Sequence, residues 1–234
     1  MSTDLLTLLT DQGWALALAK GCALTIAAAL GGTALGGVMG FPMAVLRWRA
    51  VPVLSQAVAV YSGLVRGVPG LLVIYLIFFG GVQAVETLLH LGGNSAILGF
   101  IMAVIAIGLI SCAYSVEVFR AALQAIPRGQ VEAALAVGMS DLVAFRRIIA
   151  PLALRHALGG LNNVWQMTVK DTSLVSVVGL QELMRVAAIA AGVTRSALVF
   201  YILAAALYLA ITLISQALFL RAEKALNLGF GGRS

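Results

Sequence analysis

Asn162, Asn163, Gln166, Lys170, Asp171, Thr172 and Ser173 lie in a stretch whose flanks are apolar enough to dissolve in lipid. Amides, an ammonium, a carboxylate and hydroxyls in this mixture can bind and release a polar solute. Asn162, Gln166 and Lys170 recur every fourth residue, so they share one helix face, with Asn163 beside them. A polar stripe facing lipid is implausible. It is either hydrogen-bonding glue between helices or the wall of a cavity.

Catalysis is poorly served. The only imidazoles, His90 and His156, fall at the edges of apolar runs, and no His/Asp/Glu cluster has metal-ligand spacing. Ser173 has no evident base. Cys22 and Cys112 sit in apolar surroundings without a Cys-x-x-Cys spacing and read as small buried hydrophobes. No Gly-x4-Gly-Lys-Ser/Thr phosphate loop occurs, so any ATP used must bind on another chain.

The elements that position the stripe are membrane helices. Of 234 residues, 62% are hydrophobic and 10% charged. A soluble domain carries about 25% charged residues. The sequence therefore predicts an all-α integral membrane protein, one domain over residues 1–234. Five transmembrane helices are expected at about Gly21–Leu46, Leu54–Gly80, Ile97–Phe119, His156–Val178 and Leu198–Leu220. Each is long enough for a hydrocarbon core of about 30 Å. The acidic N-terminus lacks the basic region and cleavage site of a signal peptide, so the first span is retained.

Charge gives the sidedness. Arg47 and Arg49, then Arg120, Arg128, Arg146, Arg147 and Arg155, then Arg221, Lys224 and Arg233 share one side. The opposite side has Asp4, Asp11, Glu86 and His90, with Lys20, Arg185 and Arg195. The bias places the N-terminus outside (periplasmic) and the C-terminus in the cytoplasm. The net charge of +6 follows this topology and is no nucleic-acid signal. Gly32, Gly36 and Gly40 line one face of the first span and allow close helix packing.

Two charges stand out. Arg66 falls near the middle of the second span, before Pro69, which marks a broken or kinked helix. It either lines a path and meets a substrate carboxylate or pairs with Glu117 or a carbonyl to fix the fold; the pairing is the cheaper reading. Glu117 finds a local partner in Arg120 at i,i+3, which favours a structural role over gating.

The segment Glu132–Pro151, EAALAVGMSDLVAFRRIIAP, is polar, basic and punctuated by glycine between two apolar runs. Pro127-Arg128-Gly129 ends the preceding helix. A short helix over about Gln130–Val137 is expected, closed by Gly138 at positive φ. Ser140 or Asp141 can cap a second helix with Leu142, Phe145 and Ile149 on one side, and Pro151 separates it from the fourth span. Two short helices at a glycine corner suit a partner's groove. An amphipathic helix on lipid headgroups is the competing reading.

Glu132, Ala133, Ala134, Gly138, Ile148 and Pro151 resemble the Glu-Ala-Ala loop of ABC importer permeases. That family has Leu before the Pro, where this chain has Ala150. Arg66-Gly67-Val68-Pro69 is similar to a signature of the polar amino-acid permeases. So are Ala113-Tyr114, Glu117, Phe119-Arg120, Ile126-Pro127-Arg128-Gly129-Gln130, Asn162-Asn163, Trp165-Gln166, Lys170, Thr172–Ser176, Gly179-Leu180 and Arg221–Lys224. The likeness runs from about residue 15 to 225. It is strongest to the first of the paired permeases in histidine- and octopine-type systems.

The resemblance implies a permease in a bacterial inner membrane, part of a binding-protein-dependent importer of polar amino acids, basic amino acids or opines among them. It implies two ABC ATPase subunits, an external substrate-binding protein and a second permease, either another copy or a related chain. No cofactor is expected on this chain; ATP and Mg belong to the ATPases. The loop of about 127–151 then docks the ATPases through Glu132, Ala133, Ala134, Gly138, Phe145, Arg146, Ile148 and Pro151. Arg66, Pro69, Asn162, Asn163, Gln166, Lys170, Asp171, Thr172 and Ser173 are the substrate-path candidates, the stripe being favoured as cavity wall. Asp171 departs from the small residue usual there; it either neutralises Lys170 or meets a cationic group of the cargo. Gly70 stands where relatives with cationic cargo often carry an acid, which weakens a basic-amino-acid assignment. A self-sufficient carrier or channel is the alternative, although no internal repeat supports it.

Overall fold

A computed structural model describes residues 13–89 and 96–227, and these are helical throughout apart from short connections. The helices are α1 (Trp14–Trp48), α2 (Leu54–Gly67), α3 (Gly70–Leu89), α4 (Ala96–Gln124), α5 (Arg128–Ala136), α6 (Asp141–Ala144), α7 (Ala150–Val175), α8 (Leu183–Thr194) and α9 (Ala197–Asn227). Asp4, Asp11, His90 and Arg233 lie outside the described residues. Four helices, α1, α3, α4 and α9, are each long and apolar enough to cross a membrane. A fifth crossing arises if Asp141–Val178 and Leu183–Thr194, bent by 51°, act as one span.

α1 and α4 form the central pair. A Cβ on Gly32 would meet Ile107 Cγ2 at 2.7 Å, one on Gly36 would meet Cys112 N at 2.8 Å, and one on Gly40 would meet Ser115 Cβ at 2.8 Å. Only hydrogen fits at these positions, so the backbones approach as the four-residue spacing foretells. Clusters at the two ends of α1 extend the core. One joins Leu18 to α8 and to Phe200 of α9; the other joins Ala44 to Phe119 and Leu123 of α4 and Ile149 and Ala153.

Three expectations need correction. The second span is broken at Pro69, as expected, but completely, which corrects the placement of Arg66: α2 stops at Gly67, Val68 is extended at φ −99° and ψ 143°, and α3 starts at Gly70. Pro69 causes this, since it lacks an N–H and drives the residue before it out of helical geometry. Arg66 therefore ends α2 instead of sitting mid-span.

Pro151 does not separate the docking segment from the fourth span. α6 runs through a π-helical turn, Phe145–Ile149, directly into α7, with Pro151 in its first turn. The wider turn carries i→i+5 bonds, and a proline in a first helical turn has no N–H to leave unsatisfied. Finally, Ser140 occupies the cap position of α6 but makes no side-chain cap bond. It is exposed, so water can satisfy that end.

Candidate functional site

The segment expected to dock a partner is a corner of two helices, packed against the rest of the chain through Ala134, Phe145 and Ile149. α5 ends at Ala136, and Gly138 takes φ +82° between α5 and α6. Phe145 turns inward instead of sharing an outer face with Leu142. Its ring centroid lies 6.4 Å from that of Phe41 and 6.5 Å from that of Trp48, and the Arg49 guanidinium stands 5.3 Å from it. Ala134 and Ile149 are buried beside it. Burying such apolar side chains contributes about 1.5–3 kcal/mol each, so the anchored side is firmly held.

The outer side carries Glu132, Ala133, Gly138, Arg146 and Pro151, all exposed, with Ile148 half-buried. Apolar side chains surround the corner in the open: Leu135 is 44% exposed, Val137 73%, Leu142 63% and Val143 37%. Sequence reasoning missed Leu135 and Val137 because apolar residues in a short helix are assumed to point inward. Their position flanking Gly138 was the available signal.

The polar stripe forms along α7. His156, Gly159, Asn163 and Lys170 are exposed, and Asn162, Gln166, Asp171 and Ser173 are half-buried. Gln166 Nε2 donates to Asn162 Oδ1 at 3.3 Å. The opposite face of α7 is buried through Ala153, Ala157, Val164, Trp165, Thr168, Val169, Thr172 and Val175. Thr172 belongs to that inner face, and its hydroxyl donates to the Val169 carbonyl at 2.7 Å. Beyond the stripe, Lys170 and Ser173 line a cavity of about 320 Å³ with Met184, Tyr201, Ala204, Ala205 and Tyr208.

Arg66 does not join the stripe. Its Nη1 lies 3.7 Å from Glu117 Oε1, and its guanidinium stands 5.5 Å from the centre of the Tyr114 ring. Glu117 is also bonded by Arg47 Nη1, by Ser62 Oγ at 3.1 Å and by Arg120 Nε at 2.9 Å. The expected pairs with Arg120 and Arg66 are both present; those with Arg47 and Ser62 join helices distant in sequence.

Glu182 is a buried carboxylate that sequence reasoning passed over. It is 0% exposed. Tyr208 Oη donates to it at 2.7 Å, Thr25 Oγ1 at 3.2 Å and the Arg185 N–H at 2.8 Å. Among the described residues no cation pairs with it. Through these three accepted bonds the carboxyl caps α8 and ties it to α1 and α9. The signal was an acid directly before an apolar helix, weakened because glutamate is not a favoured cap residue.

Comparison with known proteins agrees with this architecture. Residues 32–227 match the family model described as binding-protein-dependent transport system inner membrane component. The chain is 42% identical over 215 residues to the octopine transport system permease protein OccQ of Rhizobium radiobacter, covering 91% of each. It is 43% identical over 223 residues to the nopaline transport system permease protein NocQ of Agrobacterium fabrum, covering 94% of each. A crystal structure of an amino acid ABC transporter with histidines superposes with a TM-score of 0.79 at 28% identity, covering 96% of this chain and 100% of that one. A long apolar bundle with an exposed two-helix corner and a polar helix face, matched over nearly its whole length, belongs to the binding-protein-dependent transport system inner membrane components: it is a multi-pass permease subunit of an ABC importer, and a transport subunit, not an enzyme.

Proposed function

We propose that this chain forms half of the translocation path for a polar amino acid or an opine. The observation that carries the reading is the exposed stripe His156–Asn163–Lys170 on α7, among helices whose other exposed faces are mostly apolar. Amides and an ammonium at membrane depth do not face lipid, so this face adjoins a second permease and the aqueous path between them. Lys170 is suited to a cargo carboxylate and Asp171 to a cationic group, with Asn162, Asn163, Gln166 and Ser173 as adaptable donors and acceptors. The names of OccQ and NocQ, octopine and nopaline, support an amino-acid-derived zwitterion.

In this reading the exposed corner around Gly138 docks one of two ABC ATPases, which bind ATP and Mg. The arginines at the ends of α1 and α4, with Arg221 and Lys224 of α9, support a cytoplasmic corner and C-terminus and a periplasmic N-terminus. A substrate-binding protein delivers cargo on the outer side. The first test is gentle extraction of the tagged chain from its own membrane, followed by mass spectrometry of what co-purifies. An ABC ATPase in near-equal amount is expected. A related permease alongside it makes the pair a heterodimer. Recovery without any ATPase, under conditions that preserve other ABC complexes, overturns the docking assignment.

A further inference from the structure

Three guanidinium groups converge on the single carboxylate of Glu117. Oε1 receives Arg47 of α1 and Ser62 of α2, with Arg66 of α2 waiting 3.7 Å away; Oε2 receives Arg120 from its own helix. Arg47, Glu117 and Arg120 are partly buried, at 19%, 22% and 30% exposure, whereas Arg66 is exposed at 42%. Arg47 and Arg66 both pair with the same oxygen, Arg47 more closely, and the two like charges beside it repel each other. The nearer is seated. The farther rests on the Tyr114 ring, a weaker but favourable seat for a cation.

The linker between α1 and α2 is strained. Ala50 has φ 50° and Val53 has φ 65° with ψ −55°, a conformation that a β-branched residue rarely adopts. Val53 is 74% exposed, so no packing around its side chain enforces that backbone. Strain of this kind gathers at switch segments. On the other side of the cluster, α4 reaches the docking corner a few residues beyond Gln124, and Arg120 Nη1 donates to Gln124 Oε1 at 2.9 Å. The helix that carries Glu117 therefore leads within a few residues to the corner.

We infer that Glu117 exchanges its arginine partner during the transport cycle, releasing Arg47 and taking Arg66, as α2 swings on the linker Arg49–Val53. Glu117 is a positioning residue here: it touches no cargo and sets which of two arrangements of α1 and α2 is held. This rests on the reading of the chain as an ATP-driven permease. The general point is that a bistable contact converts a small push into a discrete change.

The test uses the intact complex in lipid vesicles, comparing ATP hydrolysis without cargo in Arg47→Gln and Arg66→Gln. Removing either arginine favours the arrangement held by the other. The two variants therefore shift the rate in opposite directions, each by about fivefold. In a Glu117→Gln background both shifts shrink, because the exchange has lost its pivot. If a glutamine variant does not assemble, Arg47→Lys or Arg66→Lys keeps the charge while losing the guanidinium fork, and is read the same way. Rates that move in the same direction, or not at all, overturn the exchange and leave Glu117 a static brace. Wild-type vesicles that import nothing with ATP overturn the permease reading itself, a separate failure.

Discussion

Gly138 offers a substitution in which fold and partner effects can be separated. Its φ is +82°, and no atom among the described residues lies within 4 Å of a Cβ built there. Any L residue at that position therefore meets the backbone penalty, and its Cβ meets no clash. The penalty is about 1–2 kcal/mol, equal for alanine and arginine because it arises at Cβ. At about 2–4 °C per kcal/mol for a chain of this size, both variants should lose about 2–8 °C in melting temperature. They should differ only toward a partner. Arginine sets a long charged chain among Leu135, Val137, Leu142 and Val143, whereas alanine adds one methyl group. Measured as ATPase capture by the purified permease pair, Gly138→Ala should stay within about threefold of wild type, and Gly138→Arg should fall at least about tenfold, or 1.4 kcal/mol. Uptake should follow capture. If the two variants melt alike and also capture the ATPase alike, the corner is not the docking surface and the reasoning fails.

Neighbouring glycines in α1 give a second test. Gly36→Ala drives a methyl group to 2.8 Å from Cys112 N, whereas Gly37→Ala meets no atom within 4 Å among the described residues. Gly36→Ala should cost about 1–3 kcal/mol by overpacking, while Gly37→Ala is neutral or slightly stabilising by helix propensity. Equal melting temperatures would show that the α1–α4 contact is looser than described. Lys170→Met with Asp171→Asn should change apparent cargo affinity by about tenfold in vesicle uptake, the scale of a charged hydrogen bond lost. An unchanged profile across an amino-acid and opine panel would remove both residues from the path. Glu182→Gln leaves one of three donors facing an amide N–H₂, at a cost of about 1–3 kcal/mol. Its melting temperature should drop by several degrees, and a wild-type value would refute the cap-and-clamp role.

Helix periodicity and composition were enough to fix much of this protein. The apolar runs could only be membrane helices, since lipid leaves backbone groups no other partner. The glycine spacing of α1, the break at Pro69, the corner at Gly138 and the i,i+3 pair Glu117–Arg120 are local, and local chemistry decides them. The polar stripe of α7 was legible for the same reason: residues 162, 166 and 170 share a face whatever the helix packs against. The continuity of α6 into α7 was not legible, because a proline signals a break unless a first turn or a π turn absorbs it. Neither was the inward turn of Phe145, which depends on Phe41 and Trp48 of α1, with Arg49 just beyond, meeting it from far away in sequence. The contacts Arg47–Glu117 and Thr25–Glu182 span 70 and 157 residues of chain. No periodicity encodes such separations. They exist because helices pack, and packing settles which buried charge meets which partner.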